Sequence, residues 1–440
     1  MSSILSLFSF ALIALCIIIG VSESVQELGI NIGSPMLKTD WICAWIWGAT
    51  LGICLIFSFR DLETRRNILI CWSAKLVATL LFMLWYESHY DQLDCYAYFR
   101  ESLANSPEWD IQYGNGTEFT LMICWMHQQI APGFFHLLKV SFAFVGFIGI
   151  IFWWKSFGLL LGERSPKVLL AIGLFPSLLF WPSTIGKEPI ILMSFGLYAY
   201  GIACVLKSEG EKIYGYAALT LGIFLAGWIR LWLAPILLTP ILMAAFLKSR
   251  KNSLVTTEKT AIVTATVVFI FMIGGFVLDK FSIFSVDDIG GRADEIAQSW
   301  AYGGSAREIS INFSSWTDWI SFMPMAVFSF LFRPLPGEIP NAFGLISGIE
   351  NVFILAMCLF ILLKYKNVYE KEVFAGSSIL TALIILYSIL YSVVSYQNVG
   401  TSVRWRSPIV PAIIFLYITA GKRRALSSGR DEKSSGGVVA

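Results

Sequence analysis

The sequence predicts an all-α protein, a polytopic bundle of helices that span a membrane. Three observations lead to this fold class. First, 56% of the 440 residues are hydrophobic and 14% are charged, which is too apolar for a soluble globular protein of this length. Second, apolar runs of roughly 20 residues, the length of a spanning helix, recur along the chain. Third, the lysines and arginines between these runs concentrate in alternate connections.

About twelve runs are predicted as spans. The first, Ile4–Gly20, has the length of a signal peptide, but its weak cleavage pattern favours a retained span. The others are expected at 43–59, 67–86, 134–154, 168–183, 189–206, 213–229, 231–247, 260–278, 342–363, 373–395 and 408–420. The run 319–332 is apolar but short, and its path needs a separate argument.

The distribution of positive charge assigns the connections to two sides. One alternating set of loops, together with the C-terminal tail, holds 20 of the 32 lysines and arginines and is therefore predicted to be cytoplasmic. This alternation holds only if 319–332 does not cross, so we predict a re-entrant or interfacial segment there. Both termini are then expected in the cytoplasm.

These assignments define the expected domain organisation. Residues 1–421 form a single transmembrane helical domain with two sizeable outer loops, at 87–133 and 279–318. The tail 422–440 is rich in serine and glycine and is predicted to be a disordered cytoplasmic segment.

Arginine is enriched on the predicted outer face. Seven of the ten basic residues there are arginines, against eight of the 20 on the inner face. The planar guanidinium group binds phosphate or carboxylate through two parallel hydrogen bonds, so this enrichment indicates an anionic ligand such as a diphosphate. Pairing with nearby carboxylates is the simpler interpretation for Arg292 and Arg307, which lie in an acidic loop.

Four arginines flanked by apolar sequence favour the anion: Arg230, Arg333, Arg404 and Arg406. Arg230 occupies a turn so tight that its side chain must lie near the hydrocarbon boundary, where a phosphate or carboxylate is expected to meet it. Arg333 follows the short run and has Glu338 nearby as an alternative partner, and Glu350 is a further one.

A fifth predicted contact to the anion comes from the segment Ser183–Pro189. Pro189 fits the first turn of the next span, so the positive end of that helix dipole is expected beside Lys187. Such an end is suited to an anion. The alternative is an ordinary capped helix with a Lys187–Glu188 pair.

The predicted general base is Asp94, which follows the third span in a region rich in tyrosine. A carboxylate at a membrane surface can accept a proton from a sugar hydroxyl, or it can bind a divalent cation. Asp91 and Glu188 are the rival acids, and a solvated loop carboxylate is the alternative for all three. The sequence therefore leaves a divalent cation as a candidate cofactor, with no metal ligands identified.

Four short motifs resemble bacterial membrane proteins of polysaccharide assembly: Asp-x-x-x-Tyr (94–98), Phe-Pro-Ser-Leu-Leu-Phe-Trp-Pro-Ser-Thr-Ile-Gly-Lys-Glu (175–188), Phe-Arg-Pro-Leu-Pro (332–336) and Asn-x-Gly-Thr-x-x-Arg-x-Arg (398–406). The chain is similar to Wzy-type O-antigen or exopolysaccharide polymerases and to GT-C-class membrane glycosyltransferases. The resemblance implies a GT-C-like fold and transfer of sugars at the outer face from a polyprenyl phosphate or diphosphate. It gives Asp94 the role of base or metal-side acid. It assigns the leaving phosphate to the five basic residues Lys187, Arg230, Arg333, Arg404 and Arg406.

A transporter or flippase of an anionic lipid-linked glycan, or of another organic anion, is the alternative function. Transporters are expected to carry charges near the bilayer midplane, whereas here Lys75, Lys139 and Glu350 are the charges within predicted spans. This asymmetry favours the enzyme. The expected location is the bacterial inner membrane. The expected partners are the bilayer, the polyprenyl-linked glycan and other polysaccharide-assembly proteins, with no nucleic acid.

Overall fold

The computed structural model describes residues 20, 23–34, 36–103, 111–207, 210, 212–251, 316–364, 371–396 and 398–421. Helix accounts for 83% of this part of the chain, which contains no strand. The prediction of an all-α protein is confirmed for these residues.

The helices are labelled here in chain order. They are α1 (Leu37–Phe57), α2 (Leu62–Val77, continued by a π-helical turn Ala78–Phe82 and by Met83–Glu87), α3 (Asp94–Glu101), α4 (Gly116–Gln128), α5 (Phe135–Leu161), α6 (Pro166–Gly173), α7 (Pro176–Phe180), α8 (Lys187–Lys207), α9 (Lys212–Ile229), α10 (Leu233–Lys251), α11 (Trp316–Phe332), α12 (Ala342–Lys364), α13 (Lys371–Ser395), α14 (Val399–Arg406) and α15 (410–421).

Seven helices among the described residues are long and apolar enough to span a membrane, or eight if a bent pair counts as one span. They correspond to seven of the predicted runs, and the bent pair corresponds to the run 168–183. The helix at 410–421 and the apolar stretch 233–244 of α10 are each shorter than a span needs. The predicted spans 4–20 and 260–278 lie outside the described residues. The structure thus supports a multi-pass helical membrane protein, but the described residues do not contain the expected number of about twelve spans.

The short run at 319–332 forms most of α11. Its apolar part, Ser321–Phe332, is too short to count as a span, and Pro324 lies within it. The re-entrant or interfacial path of this segment remains a prediction. The predicted outer loop 279–318 and the tail 422–440 lie outside the described residues, apart from the first turn of α11.

The chain divides into two compact units. Unit 1 comprises residues 1–151 and 165–193, and unit 2 comprises residues 152–164 and 194–440. Helices α1–α4, α6 and α7 belong to unit 1, and α9–α15 belong to unit 2, while α5 and α8 contribute to both. Within unit 2, α13 packs against α10, α11 and α14, and α11 packs against α12 and α14.

A buried lysine supports the bent helix pair of unit 1, which turns by 75° between α6 and α7. In a continuous helix the carbonyl of Leu178 would accept the N–H of residue 182, but that residue is proline and has none. The ammonium group of Lys75 donates instead to the carbonyls of Leu178 (2.8 Å) and Leu179 (3.1 Å). Lys75 is fully buried, and these helix-terminal carbonyls accept the hydrogen bonds of its side-chain nitrogen.

Close approach of two helix backbones explains a glycine in α5. A Cβ atom built on Gly149 would lie 2.6 Å from the carbonyl oxygen of Leu192 and 2.7 Å from the Cα of Met193, both in α8. Backbone atoms cannot move aside as a flexible side chain can. Glycine is therefore required where α5 crosses the start of α8 in unit 1.

The substitution Gly149→Ala is expected to lower the free energy of unfolding by about 1–3 kcal/mol, the range for an overpacked core. Alanine favours helix by about 0.5–1 kcal/mol over glycine, so a loss must come from the steric conflict. Thermal unfolding of the purified protein in detergent measures the effect. Gly421→Ala is the matched control, because a Cβ there meets nothing within 4 Å. Equal midpoints for the two variants would contradict the close crossing.

Candidate functional site

The structure brings together four of the predicted anion-binding residues in unit 2. We call Arg230, Arg333, Arg404 and Arg406 the arginine cluster. Arg230 follows the end of α9, Arg333 follows the end of α11, and α14 carries the other two. The guanidinium group of Arg230 lies over the ring of Trp405, the residue between Arg404 and Arg406. Arg406 in turn donates to the carbonyl of Arg333 (2.9 Å). A chain of direct contacts therefore links three separate segments.

Arg230 is held by aromatic side chains. Its carbon Cζ lies 4.9 Å from the ring centroid of Trp405 and 5.5 Å from that of Tyr391. Its Nη1 donates to the hydroxyl of Tyr391 (2.8 Å), which also accepts a hydrogen bond from the indole N–H of Trp232 (3.1 Å). The sequence predicted a phosphate or a carboxylate as partner. The observed cation–π contacts orient the guanidinium plane, and the side chain remains half-buried.

An aromatic stack supports these contacts. Tyr387 and Tyr391 are one helical turn apart on α13 and stack with centroids 4.3 Å apart, and Phe330 of α11 packs on both. The Tyr387 hydroxyl donates to the carbonyl of Trp405 (2.6 Å), which ties α14 to α13. The ring that receives Arg230 is thus fixed by packing within unit 2.

Arg333 forms an ion pair with Glu338, one of the partners considered from the sequence. Its Nε lies 2.9 and 3.1 Å from the two carboxylate oxygens, and its Nη2 lies 2.5 Å from Oε1. The pair is partly exposed. Arg404 is half-buried on α14. Both residues remain predictions as phosphate ligands.

Arg406 is fully buried, which the sequence did not predict. Its Nη1 donates to the carbonyls of Phe330 and Arg333 (2.9 Å each), and its Nη2 donates to the side-chain oxygen of Asn351. Burial lowers the pKa of Arg406 to about 10, and the carboxylate of Glu350 opposes that shift. The side chain therefore stays protonated at neutral pH. Glu350, expected as a partner of Arg333, acts electrostatically on Arg406.

The predicted acids and Lys187 lie in unit 1. Asp94 is the first residue of α3 and is exposed, and Asp91 is exposed in the preceding loop. Glu188 is buried at the start of α8, beside Lys187, whose ammonium group donates to the hydroxyl of Thr117 (2.8 Å). The roles of these four residues as base or anion ligands remain predictions.

A buried ion pair underlies the helix that carries Asp94. Glu87 and Lys139 are both buried, and their charged groups lie 2.6 Å apart. The backbone carbonyl of Glu87 accepts the hydroxyl of Tyr96 (2.9 Å), and its carboxylate accepts the thiol of Cys95 (4.0 Å). These bonds fix the inner face of α3. The sequence analysis did not identify Glu87, because it lies at the edge of an apolar run.

Asp40 is a second acid that the sequence analysis missed. It is buried in the first turn of α1, and its carboxylate accepts the backbone N–H groups of His136 (2.6 Å) and Leu137 (3.0 Å). These amides belong to the first turn of α5 and have no partner within that helix. Asp40 therefore caps α5 from a different helix, and it also complements the helix dipole. A lone acid three residues before the predicted span 43–59 was the signal available in the sequence.

The buried groups on α3 are poor nucleophiles. Burial and the carboxylate of Glu87 raise the pKa of the Cys95 thiol, and burial raises the pKa of the Tyr96 hydroxyl. Both groups stay protonated at neutral pH, whereas a reactive cysteine requires the thiolate. Their contacts with Glu87 instead position the helix.

No group of three or more His, Cys, Asp or Glu side chains within the described ranges is arranged to hold a metal ion. Comparisons of the chain with protein-family models, with curated proteins and with solved structures gave no match. The expected GT-C-like architecture therefore has no structural relative to support it.

Replacing Lys139 by methionine is expected to lower the free energy of unfolding by about 3–5 kcal/mol, because it leaves the Glu87 carboxylate buried without its counter-ion. The double variant Glu87→Gln/Lys139→Met should recover most of this loss, since no charge is then buried. Chemical unfolding in detergent measures both. The matched control is Lys38→Met, in the exposed pair Lys38–Glu23, which should cost less than about 1 kcal/mol. A similar loss for both single variants would show that the buried pair contributes little.

Proposed function

We propose that this protein transfers or polymerises sugars from a polyprenyl phosphate or diphosphate donor at the outer face of the bacterial inner membrane. The observation that supports this function is the arginine cluster. Contacts link the three chain segments of unit 2 that carry these arginines: Arg230 lies over the ring of Trp405, and Arg406 donates to the backbone carbonyl of Arg333, beside stacked aromatic rings. Guanidinium groups bind phosphate through two parallel hydrogen bonds, and aromatic faces pack on sugar rings.

The proposed chemistry needs a leaving group whose charge is neutralised. The bond between the anomeric carbon and the phosphate oxygen breaks, and the electron pair leaves with the phosphate. A new bond forms between that carbon and an acceptor hydroxyl oxygen, whose proton passes to a base. Fixed arginines stabilise the departing anion because they are already oriented before the reaction. Arg230, Arg333 and Arg404 are assigned this role in unit 2.

The base and the cofactor remain predictions from the sequence. Asp94 is the first choice, with Asp91 and Glu188 as rivals, and a divalent cation is a candidate cofactor. An exposed carboxylate at the start of a helix, as Asp94 is, can accept a proton from a hydroxyl that is brought within hydrogen-bond distance. The proposal places both termini in the cytoplasm and includes other polysaccharide-assembly proteins as partners.

One feature favours transport of an anionic lipid-linked glycan as a second candidate function. Transporters build their sites from broken helices with charged groups at the break. Unit 1 contains such a bent pair, α6–α7, and the fully buried Lys75 donates to the carbonyls of Leu178 and Leu179 in α7, two to three residues beyond the start of that helix. The experiment below separates the two functions.

The size distribution of lipid-linked glycans in cells that lack this protein tests the proposal. We expect single repeat units to accumulate, and Arg230→Gln, Arg404→Ala and Asp94→Asn to fail to restore long chains. Loss of one preorganised contact to the leaving group slows such a step by about a hundredfold. The control is Arg60→Gln, an exposed arginine in a predicted cytoplasmic loop, which should restore wild-type chains.

Other outcomes discriminate the alternatives, provided that each variant is made and inserted. Long chains that lack one sugar would identify a single-sugar transferase. Accumulation of the precursor on the inner leaflet alone would exclude transfer and identify a transporter. Long chains in cells carrying Arg230→Gln or Arg404→Ala would show that the arginine cluster does not bind the leaving phosphate.

A further inference from the structure

At the end of α11, the backbone carbonyl of Phe330 has no backbone N–H to accept, because the residue four positions later is a proline. In a helix that continued, the carbonyl of Phe330 would accept the N–H of residue 334, four positions later. That residue is Pro334, which has no N–H. Instead, Nη1 of Arg406 donates a hydrogen bond to the Phe330 carbonyl oxygen (2.9 Å). A positive charge at a helix C-terminus also complements the helix dipole.

Asn351 extends this arrangement into the turn that follows. Its side-chain oxygen accepts a hydrogen bond from Arg406, and its side-chain N–H donates to the carbonyl of Pro334 (2.6 Å). Arg406 also donates to the carbonyl of Arg333. The buried Arg406–Asn351 pair therefore holds three carbonyls, those of residues 330, 333 and 334.

The same turn packs on α12, and the carboxylate of Glu338 accepts hydrogen bonds from within the turn. A Cβ atom on Gly348 would lie 2.7 Å from the backbone nitrogen of Pro336, so the turn packs directly on the helix backbone. Glu338 accepts the N–H of Leu335 (2.8 Å) as well as the Arg333 side chain. The direction of Arg333 thus depends on a backbone that is fixed from both sides.

We infer that Arg406 and Asn351 are positioning residues, which hold the turn carrying Arg333 without contacting the ligand themselves. Three facts support this. Arg406 is fully buried, both of its terminal nitrogens donate to protein acceptors, and Asn351 is fully buried as well. Asn351 had no predicted role. The contribution of this turn to ligand binding rests on the proposed function, whereas the fixing of the turn does not.

Hydrogen exchange of the purified full-length protein in detergent, followed by mass spectrometry, tests the positioning. Asn351→Ala removes the amide without changing the charge of the protein. We expect exchange at the backbone amides of residues 335 and 338 to become about tenfold faster, the effect of losing one buried hydrogen bond. The matched control is Val352→Ala, the next residue along α12 and an exposed one, which should leave this exchange unchanged. Unchanged exchange in Asn351→Ala would overturn the inference.

Binding of farnesyl diphosphate to the same proteins tests the consequence for the arginine cluster. We expect Arg333→Ala and Asn351→Ala each to weaken binding about tenfold, and the double variant to be no weaker than Arg333→Ala alone. This non-additivity is the mark of a residue that acts through another. If Arg406 instead contacted the ligand, Arg406→Lys would keep most of the affinity and Asn351→Ala would keep all of it, which would overturn the positioning role.

The failure of the proposed function gives a different result. Faster exchange in Asn351→Ala, together with no binding of farnesyl diphosphate by the wild-type protein, would leave Arg406 and Asn351 as positioning residues of the turn. It would exclude a diphosphate as the ligand of the arginine cluster.

Discussion

In both units a buried basic side chain donates to a helix carbonyl whose backbone donor is replaced by proline. Pro182 deprives the carbonyl of Leu178 of its donor, and Lys75 supplies one. Pro334 likewise leaves the carbonyl of Phe330 without a backbone donor, and Arg406 donates to that carbonyl instead. In an apolar interior an unpaired carbonyl and an unpaired N–H donor are each unfavourable, so their pairing offsets both penalties. Each helix can then end where its proline removes the backbone donor.

In unit 2 this interaction determines the position of the remaining arginines. Arg406 joins α14 to the end of α11, and the hydrogen bond from Tyr387 to the carbonyl of Trp405 joins α14 to α13. Trp405 is therefore held from two sides, and its ring orients Arg230. Within this scaffold Arg333 is paired with Glu338, while aromatic rings hold Arg230. Preorganisation of this kind is what a site for a leaving phosphate requires.

The sequence predicted the class of the fold and the residues that come together in unit 2, but not their contacts. Apolar runs locate helices well, and seven predicted spans are long helices of the structure. Among the described residues fewer spans are found than were predicted, because Pro176 divides the run 168–183, the helix at 410–421 is short, and the runs 4–20 and 260–278 lie outside the described residues. Flanking apolar sequence selected arginines whose chain segments contact one another in unit 2, and their role as anion ligands remains a prediction. The flanking sequence could not show that Arg406 is buried, because its partner Asn351 is 55 positions away and faces it only after α11, α12 and α14 have packed.

Native mass spectrometry of the protein purified from its membrane tests most directly whether the arginine cluster holds a lipid-linked phosphate. The account predicts that the wild-type protein retains a polyprenyl phosphate or diphosphate species, which excess inorganic pyrophosphate displaces, and that Arg230→Met retains none. Retention of bulk phospholipid alone, in equal amounts by the wild-type protein and by Arg230→Met, would contradict it.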